Sequence, residues 1–579
     1  MLAGPIFTRE VLIAPRQVRH FLVRAGYAAA LFVLIYTAGQ ATFGWQQTNT
    51  ITIGETSRFG SLLFQLFSTI QLALAIFFAP LFAAGRVAQE KDRQTLILLL
   101  MTDLRNRELV AGKLLASLLP IAVLLATSLP VFALVYLLGG ISLDQIGWSL
   151  ALCSGAALAA GSWGSLVAFW REKTFQTLAA STVGLLLFLG ATELIVTVLG
   201  PASTVGAWVA LFNPFRGMAI VLDPLALGAS SAAAASGARD YVTALVALAV
   251  VLNLIAIWRV RIWNPSQAIF EKAALKDEAA APVVAKTRRI WNNPIIWREI
   301  CTKAYGRKTV LIKLAYGVLF LLAALYVRQT QAARADLVLG MIAPFGAAFV
   351  VLGFVSLLLV NALAVTALTT ERDAKTLELL LVTDVSAREF IFGKLGGVLY
   401  NTRELILLPL AGLAYYGGSG LISWENFLYL ALGFLLLVAF AAMLGLHGGL
   451  SFDNSRSAIA NSLGTMFFLF LGVFVCMMLI VEARSSFILQ LPSFLVFILG
   501  GSMGLWASLT HKNPSPALTL SSLLLPFFTF YAVTGFLLAD TLGIWIVVTA
   551  TYGFTILAML IPAISEFDVA LGRTTLDKG

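Results

Sequence analysis

Long apolar runs alternate with short polar segments along almost the whole chain. Each run reaches or approaches the length of about 20 apolar residues that a helix needs to cross a bilayer, so the pattern predicts an all-α, polytopic membrane protein with about 12 spans. These form two tandem six-helix modules. The predicted spans lie near 25–42, 60–85, 114–140, 147–169, 175–199 and 241–261, and near 310–327, 337–368, 395–415, 426–448, 458–481 and 543–563.

Two further apolar runs, near 487–509 and 517–538, occur only in the second half, where the first half has the shorter stretch 201–238. We expect them either to cross the membrane or to re-enter it and return. Because they come as a pair, either arrangement leaves the sidedness of the following span unchanged.

A helix-breaking Asn-Pro pair precedes the last predicted span of each half, at Asn213–Pro214 and Asn513–Pro514, each with a tryptophan upstream, Trp208 and Trp506. We expect both pairs on the outer side of the membrane. Half-helices that enter from that side and turn back fit this pattern, provided that their backbone is buried in protein or lines a cavity. An ordinary extracytoplasmic loop fits it equally well.

One charged stretch occurs twice, about 281 residues apart, each time between the second and third spans of its half. The copies run from Glu90 to Leu114 and from Glu371 to Leu395. An apolar background can match leucines by chance, but not polar residues in the same register, so the chain consists of two copies of one module. We place the modules at 1–263 and 294–579, joined by the polar linker 264–293.

Each copy predicts two amphipathic helices joined by a tight polar turn. Leu96, Leu99 and Leu100 follow helical spacing, and a polar Thr-Asp pair interrupts them. In the second copy Ser386 to Glu389 has the capping-box pattern; in the first copy Asn106 is expected to cap instead. Charges of both signs at the turn suit a protein partner better than a lipid surface. A solvated loop whose charges only set topology is the alternative.

Composition and charge agree with a membrane protein. The chain is 59% hydrophobic and 12% charged, with a net charge of +10. That charge does not indicate nucleic acid, because most of the 39 Lys and Arg residues fall on one side of the predicted topology. By the positive-inside rule that side is cytoplasmic, which places both termini, the linker and both copies in the cytoplasm and the chain in the cell's inner membrane. The exceptions are Arg58, Arg216, Arg239, Arg328, Arg334, Arg484 and Lys512 on the other side, and Arg403 within a span.

Arg403 is the most unusual polar residue in a predicted span. It lies nine residues beyond Lys394, or about 13 Å along a helix, and we expect the adjacent Glu404 to point elsewhere. Pathway lining or an ion pair between the halves is one interpretation of Arg403 and Glu404; snorkelling is the other. Four further polar residues lie in predicted spans. Glu193 is expected at the membrane interface, whereas Asn253, Asn361 and His447 are expected to bridge helices.

The repeated stretch resembles the permease subunits of type 2 ABC exporters, including the multicopper-enzyme-maturation and sodium-efflux groups. The resemblance covers nearly the whole chain, because each half has the six-span plan, although that family usually assembles two separate chains. It implies that each copy is a coupling element that docks onto an ATPase subunit. The docking residues implied are Glu90, Asp92, Thr95, Thr102, Asp103, Arg107, Glu108, Gly112 and Lys113, and Glu371, Asp373, Thr376, Thr383, Asp384, Arg388, Glu389, Gly393 and Lys394.

A phosphate-binding P-loop is not expected in this chain. Both Gly-Lys pairs are followed by leucine and lack the upstream glycine of G-x-x-x-x-G-K-[ST]. We therefore expect no catalytic residues and no cofactor or metal here, and ATP and Mg on two copies of a separate ATPase. A secondary transporter with two parallel six-helix halves and a membrane scaffold without transport are the alternatives. Neither the substrate nor the direction of transport follows from the sequence.

Overall fold

The computed structural model describes residues 4–13, 18–43, 52–171, 173–200, 203–223, 231–264, 291, 293–301, 309–332, 343–377, 385–483, 487–512, 515–537 and 541–565. Within these residues the regular structure consists of twenty α-helices and no strand. Twelve of the helices are long and apolar enough to cross a membrane. The prediction of an all-α polytopic membrane protein is confirmed. The predicted linker 264–293 lies almost entirely outside the described residues.

The helices of the first half are α1 (Gly4–Ile13), α2 (Val18–Phe43), α3 (Ile53–Asp92), α4 (Thr95–Met101), α5 (Asn106–Leu138), α6 (Leu143–Trp170), α7 (Thr174–Leu199), α8 (Thr204–Ala210), α9 (Pro214–Leu222) and α10 (Ser231–Trp263). Those of the second half are α11 (Pro294–Cys301), α12 (Thr309–Ala332), α13 (Pro344–Asp373), α14 (Ala387–Asn401), α15 (Arg403–Gly418), α16 (Trp424–Ser451), α17 (Ser455–Ala483), α18 (Phe487–Leu509), α19 (Pro516–Leu537) and α20 (Thr541–Ser565).

The two halves keep the 281-residue register in three dimensions. Helices α6 and α16 begin and end at matching positions, and α3 and α13 end at the matching residues Asp92 and Asp373. Each half contacts the other in the same way: α2 packs on α17 and α18, and α12 packs on α7. The ends of α3 and α13 lie together on one face of the bundle, which we call the repeat face; the other end is the opposite face.

A glycine stands at the closest helix crossing in each half. In α6, a Cβ at Gly164 would lie 2.5 Å from the carbonyl oxygen of Pro80 in α3. At the matching crossing, a Cβ at Gly445 would lie 2.6 Å from the carbonyl oxygen of Asn361. Small residues let helix backbones approach closely in membranes. These glycines therefore set the spacing of the central helices in both halves.

We expect Gly164→Val to destabilise the protein by about 1–3 kcal/mol, because the added side chain overpacks the α3–α6 crossing. The matched control is Gly147→Val in the same helix, since Gly147 has open space around its Cα. The midpoint of thermal unfolding in detergent measures both. Equal midpoints for the two variants would contradict this account of the crossing.

The extra apolar pair of the second half runs through the depth of the bundle, from one face to the other. Helix α17 begins at the repeat face, and three residues separate its other end from the start of α18. At its other end α18 returns to the repeat face, because the Leu509 carbonyl lies 2.8 Å from His447 Nε2 near the end of α16. Lys512 then pairs with Asp453, and its hydrogen bond lowers the pKa of the Asp453 carboxyl. Helix α19 runs back to the opposite face.

The placement of Lys512 corrects the predicted topology. Lys512 was expected on the outer side with Asn513–Pro514, but its pairing with Asp453 puts it on the repeat face. Asn513 and Pro514 themselves lie outside the described residues. The correction moves one more basic side chain to the face that already holds most of them.

The first-half Asn-Pro pair does form a returning segment. Helices α8 and α9 meet at a bend of 86°, and Asn213 caps α9 by accepting a hydrogen bond from the Phe215 N–H at 3.1 Å. Since α7 ends and α10 begins at the opposite face, the pair enters and leaves on that side. This bend fits the half-helix interpretation for Asn213–Pro214, which stays a prediction, and the second-half pair lies outside the described residues.

Candidate functional site

The repeated element begins where α3 and α13 stop. Gln94 and Lys375, which match in register, both adopt left-handed backbone angles, with φ of 59° and 55°. Such angles are uncommon without glycine, and these are the only non-glycine examples among the described residues. The following threonines, Thr95 and Thr376, donate to the carbonyls of Glu90 and Glu371 at 3.3 and 3.2 Å. Each copy thus makes the same fixed turn.

The short helix α4 has one buried and one exposed apolar side. Leu96 and Leu100 are buried and pack against the bundle core, as the predicted spacing requires. Leu98 and Met101 point outward and are 65% and 61% exposed. In the second copy Leu377 is buried, and the residues after it, 378–384, lie outside the described part. The outward side of α4 is therefore an apolar surface on the repeat face.

The next helix is capped differently in the two copies. Ser386 and Glu389 form the predicted capping box: the Ser386 N–H donates to the Glu389 carboxylate at 3.0 Å and the Glu389 N–H donates to Ser386 Oγ at 3.3 Å. In the first copy only the carboxylate half exists, with the Arg105 N–H donating to Glu108 at 3.3 Å. Asn106, expected to cap, is instead the first helical residue.

The side chain of Asn106 braces the first copy against α10. Its amide donates to the Ile257 carbonyl at 3.1 Å, and its oxygen accepts from Arg261 Nε at 2.7 Å. Arg261 also donates to the Leu104 carbonyl at 3.2 Å. The expectation for Asn106 was wrong because its oxygen is already occupied by the guanidinium of a helix that is distant in sequence.

The repeated lysine is the charged centre of each element. Lys113 pairs with Glu90, and Lys394 pairs with Glu371 at 2.7 Å. Lys394 also reaches Glu299 of α11 at 2.7 Å, where both side chains are only 1% exposed. The pairs join the end of the second span to the start of the third in each half. They hold the element in place and leave little lysine charge at the surface.

The glycine before the lysine makes room for the interfacial helix. A Cβ at Gly393 would lie 2.7 Å from Cβ of Ile295 in α11. Asn293 caps α11 and also donates to the Glu389 carbonyl at 2.9 Å. Helix α1 packs on α5 in the corresponding way. In the second half the Gly-Lys pair therefore holds α11, the end of the second span and the start of the third together.

A second pair of matched basic residues, Lys91 and Arg372, was missed in the sequence because the two are not identical. Lys91 donates to the carbonyls of Phe169 and Arg171 at 2.6 and 2.8 Å. Arg372 donates to the carbonyl of Phe452, which matches Arg171 in register, and to that of Gly449. Cations at a helix C-terminus satisfy its free carbonyls. The sequence does contain a signal for this pair, since both residues are basic and occupy matching positions in the repeat.

The two copies touch each other across the halves. Arg93 pairs with Asp373 at 3.1 Å, and Arg456 of α17 donates to Gln89 of α3 at 2.6 Å. Asp92, which matches Asp373 in register, instead accepts a hydrogen bond from Thr174 in its own half. The contact is therefore not symmetric, and it links the ends of α3 and α13 directly.

Below this contact the described residues seal the interface between the halves with apolar side chains. The ring of Phe467 stacks on that of Phe77 in the other half with centroids 4.2 Å apart, and Phe354 backs Phe467 within the second half with its ring centre 6.2 Å away. A cavity of only about 10 Å³ remains there, which is the minimum space for one water molecule. At this depth the described side chains of the two halves are therefore in direct contact.

Arg403 and Glu404 form an ion pair at 3.1 Å, so the expectation that they point apart was wrong. Glu404 also pairs with Lys313 of α12 at 2.6 Å, and the Arg403 guanidinium lies 4.5 Å from the centre of the Tyr400 ring. Arg403 is about half exposed. These partners all belong to the second half, and a pathway role for either residue stays a prediction.

The other polar residues of the spans bridge helices. Asn253 donates to Ser162 at 2.7 Å, and Asn361 donates to the Ala441 carbonyl at 2.9 Å; His447 contacts Leu509 as described above. Glu193, expected at the interface, pairs with Arg216 at 2.7 Å. The predicted bridging hydrogen bonds are confirmed.

The predicted docking residues differ in exposure. Thr383 and Asp384 lie outside the described residues. The exposed ones are Thr95, Thr102, Asp103, Arg107, Thr376 and Arg388; the half-buried ones are Glu90, Asp92, Glu108, Glu371, Asp373 and Glu389; and the buried ones are Gly112, Lys113, Gly393 and Lys394. Contact of any of them with a partner stays a prediction.

No protein-family model matches the chain, and neither a curated protein nor a solved structure matches it.

Proposed function

We propose that the chain is the membrane subunit of an ATP-driven transporter, an exporter by its resemblance, and that a separate ATPase docks on the two repeated elements. One observation carries the proposal: both copies hold the same turn and the same Glu–Lys pair on one face and touch through Arg93 and Asp373. A topology signal needs positive charge alone. It does not need a folded, duplicated turn with an exposed apolar side.

Force applied to the elements would reach the sealed interface through continuous helices. Helix α3 has 40 residues, about 60 Å of helix, and it carries Phe77 of the apolar seal. Helix α13 carries Phe354 in the same way. Because each element is fixed to its helix by the Glu–Lys pair, a change in the separation of the two elements moves both sides of the seal. This supplies a mechanical link from a bound ATPase to the interface.

The fused arrangement fits two ATPase copies per chain. Each half supplies one element, and both elements lie on the same face beside each other. ATP and Mg would then belong to the partner, as the lack of a P-loop in this chain implies. Two ATPases that close on ATP would draw the elements together or apart, and the Arg93–Asp373 contact is what that motion would make or break.

The surface of α4 provides the test. We expect Leu98→Asp to lower the amount of P-loop ATPase that co-purifies with the tagged, detergent-solubilised full chain by about tenfold, as loss of an apolar anchor costs about 1.4 kcal/mol or more. Leu98 is exposed, so folding is largely unaffected. The control is Arg239→Glu, which is exposed at the opposite face.

A secondary transporter or a scaffold predicts a different result. In either case no P-loop ATPase would accompany the wild-type chain under conditions that preserve membrane complexes, and Leu98→Asp would change nothing. Glu108 and Glu389 are unsuitable positions for this test, because both carboxylates accept the N-cap N–H of their helix and charge reversal would disturb the helix start as well.

A further inference from the structure

A large apolar cavity lies within the first half, away from the repeated elements. Its volume is about 520 Å³, inside the range of about 300–1,000 Å³ for ligand pockets. Helices α6, α7 and α10 form its walls, and Phe212 and Pro214 of the returning segment lie at one end. The cavity is thus a slot between the fifth and last spans of the half.

At the matching place among the described residues of the second half, helix α19 packs against both α17 and α20. The side chains differ too. Ala156 and Ala159 line the cavity on α6, whereas the matching residues of α16 are Leu437 and Phe440. The Phe440 ring lies 5.0 Å from that of Tyr552 in α20. The empty space results from small residues and a missing helix in one half only.

The side chains that line the cavity are suited to a hydrocarbon ligand. Of its side chains only Trp163 carries a hydrogen-bonding group, and the indole N–H already donates to the Ser181 carbonyl at 3.0 Å. A polar molecule would lose its water without gaining a partner. Ala156 and Ala159 lie in the middle of a spanning helix, at the depth of lipid acyl chains.

Charges of both signs lie beside the end of the cavity at the opposite face. Glu193 accepts from Arg216 at 2.7 and 2.8 Å and from the Asn213 amide at 3.0 Å. Asn213 stands between the two lining residues Phe212 and Pro214. Glu193 and Arg216 are 42% and 30% exposed, so both can also reach outward. A headgroup with one positive and one negative charge complements this pair.

We propose that the cavity binds one acyl chain of a zwitterionic phospholipid, whose headgroup contacts Glu193 and Arg216. The acyl chain fills the space between helices that α19 occupies in the second half. This site does not depend on the ATPase proposal, since none of its lining residues belongs to the repeated elements.

The test uses a phosphatidylethanolamine with a diazirine in the middle of one acyl chain, added to the reconstituted full chain and photolysed. We expect adducts in the cavity-lining segments of α6, α7 and α10. The double variant Ala156→Leu and Ala159→Phe, which copies the second half, should lower this labelling by about tenfold. The control Ala133→Phe adds the same ring to an exposed position on α5 and should leave labelling unchanged.

Two further measurements keep the proposal falsifiable if the double variant folds poorly. Native mass spectrometry of the wild-type chain after detergent exchange should show one retained phospholipid; none retained would overturn the site. A fatty acid with the same diazirine should label less than the phospholipid, and Arg216→Gln should remove the difference. Equal labelling by both probes would overturn the headgroup contact, and equal labelling of filled and wild-type cavities would overturn the site itself.

Discussion

Lys394→Met is expected to destabilise the protein by about 3 kcal/mol, because it removes one of the two cations, Lys394 and Arg298, that pair with the carboxylates of Glu299 and Glu371. The lysine is the shared partner of Glu299 and Glu371, each 2.7 Å away, and Glu299 is 1% exposed. Methionine keeps most of the length and apolar volume of the lysine side chain, so the loss of stability measures the removal of its charge. The midpoint of thermal unfolding in detergent measures it.

Two matched variants identify the cause. Lys113→Met removes the corresponding lysine of the first half, whose partner Glu90 is 27% exposed and can be solvated, so we expect a smaller loss. Adding Glu299→Gln to Lys394→Met removes the buried charge and should recover most of the stability. If the double variant were no more stable than Lys394→Met alone, the buried-charge explanation would be wrong.

Covalent linkage of the two repeated elements is expected to slow ATP hydrolysis by the ATPase complex about tenfold, which corresponds to about 1.4 kcal/mol. Arg93 and Asp373 are in contact across the halves, so Arg93→Cys with Asp373→Cys places two thiols within reach of a short, reducible bis-methanethiosulfonate linker. If the elements must change their separation during turnover, the linker opposes every cycle. Reduction of the linker should restore the rate.

The control for linkage keeps both thiols in one element. Asp373→Cys with Ala374→Cys, where Ala374 is exposed, joins two neighbouring positions of the second copy and leaves the halves free to move. Cys301 is half-buried and is replaced by serine in all variants, whereas Cys153 and Cys476 are buried and stay. An unchanged rate in the fully linked Arg93/Asp373 variant would show that the elements do not move relative to each other.

Apolar run length predicted eleven of the twelve candidate spans, because crossing a bilayer requires it. The predicted span 395–415 is instead divided between the shorter helices α14 and α15, and α19 is the twelfth candidate. Run length had further limits. It could not predict the course of α18 and α19. Two crossings and two re-entrant segments leave the following span on the same side of the membrane, so the distribution of Lys and Arg does not distinguish them. Only the contacts of Lys512 with Asp453 and of Leu509 with His447 decide the matter. These contacts join helices that are far apart in sequence.

The matching positions of the two copies located the repeated element in the sequence, but they did not show what each of its residues does. Glu90 and Lys113 are 23 residues apart, and no spacing rule pairs side chains across an intervening helix and two turns. Lys113 and Lys394 therefore read as exposed docking charges although they are buried. The exposed apolar residues Leu98 and Met101 fell within a leucine run that resembles core. Burial on a packed helix face, not residue type, separates the two roles.

A photo-crosslinking residue at Leu98 would show whether an ATPase sits on the repeated elements. The full chain, carrying p-benzoylphenylalanine at that position, is photolysed in its native membranes and purified under denaturing conditions. We expect one adduct whose partner peptides contain a P-loop, and no such adduct when the same residue replaces Arg239. An adduct-free Leu98 variant, in membranes where the chain is intact and abundant, would contradict the claim.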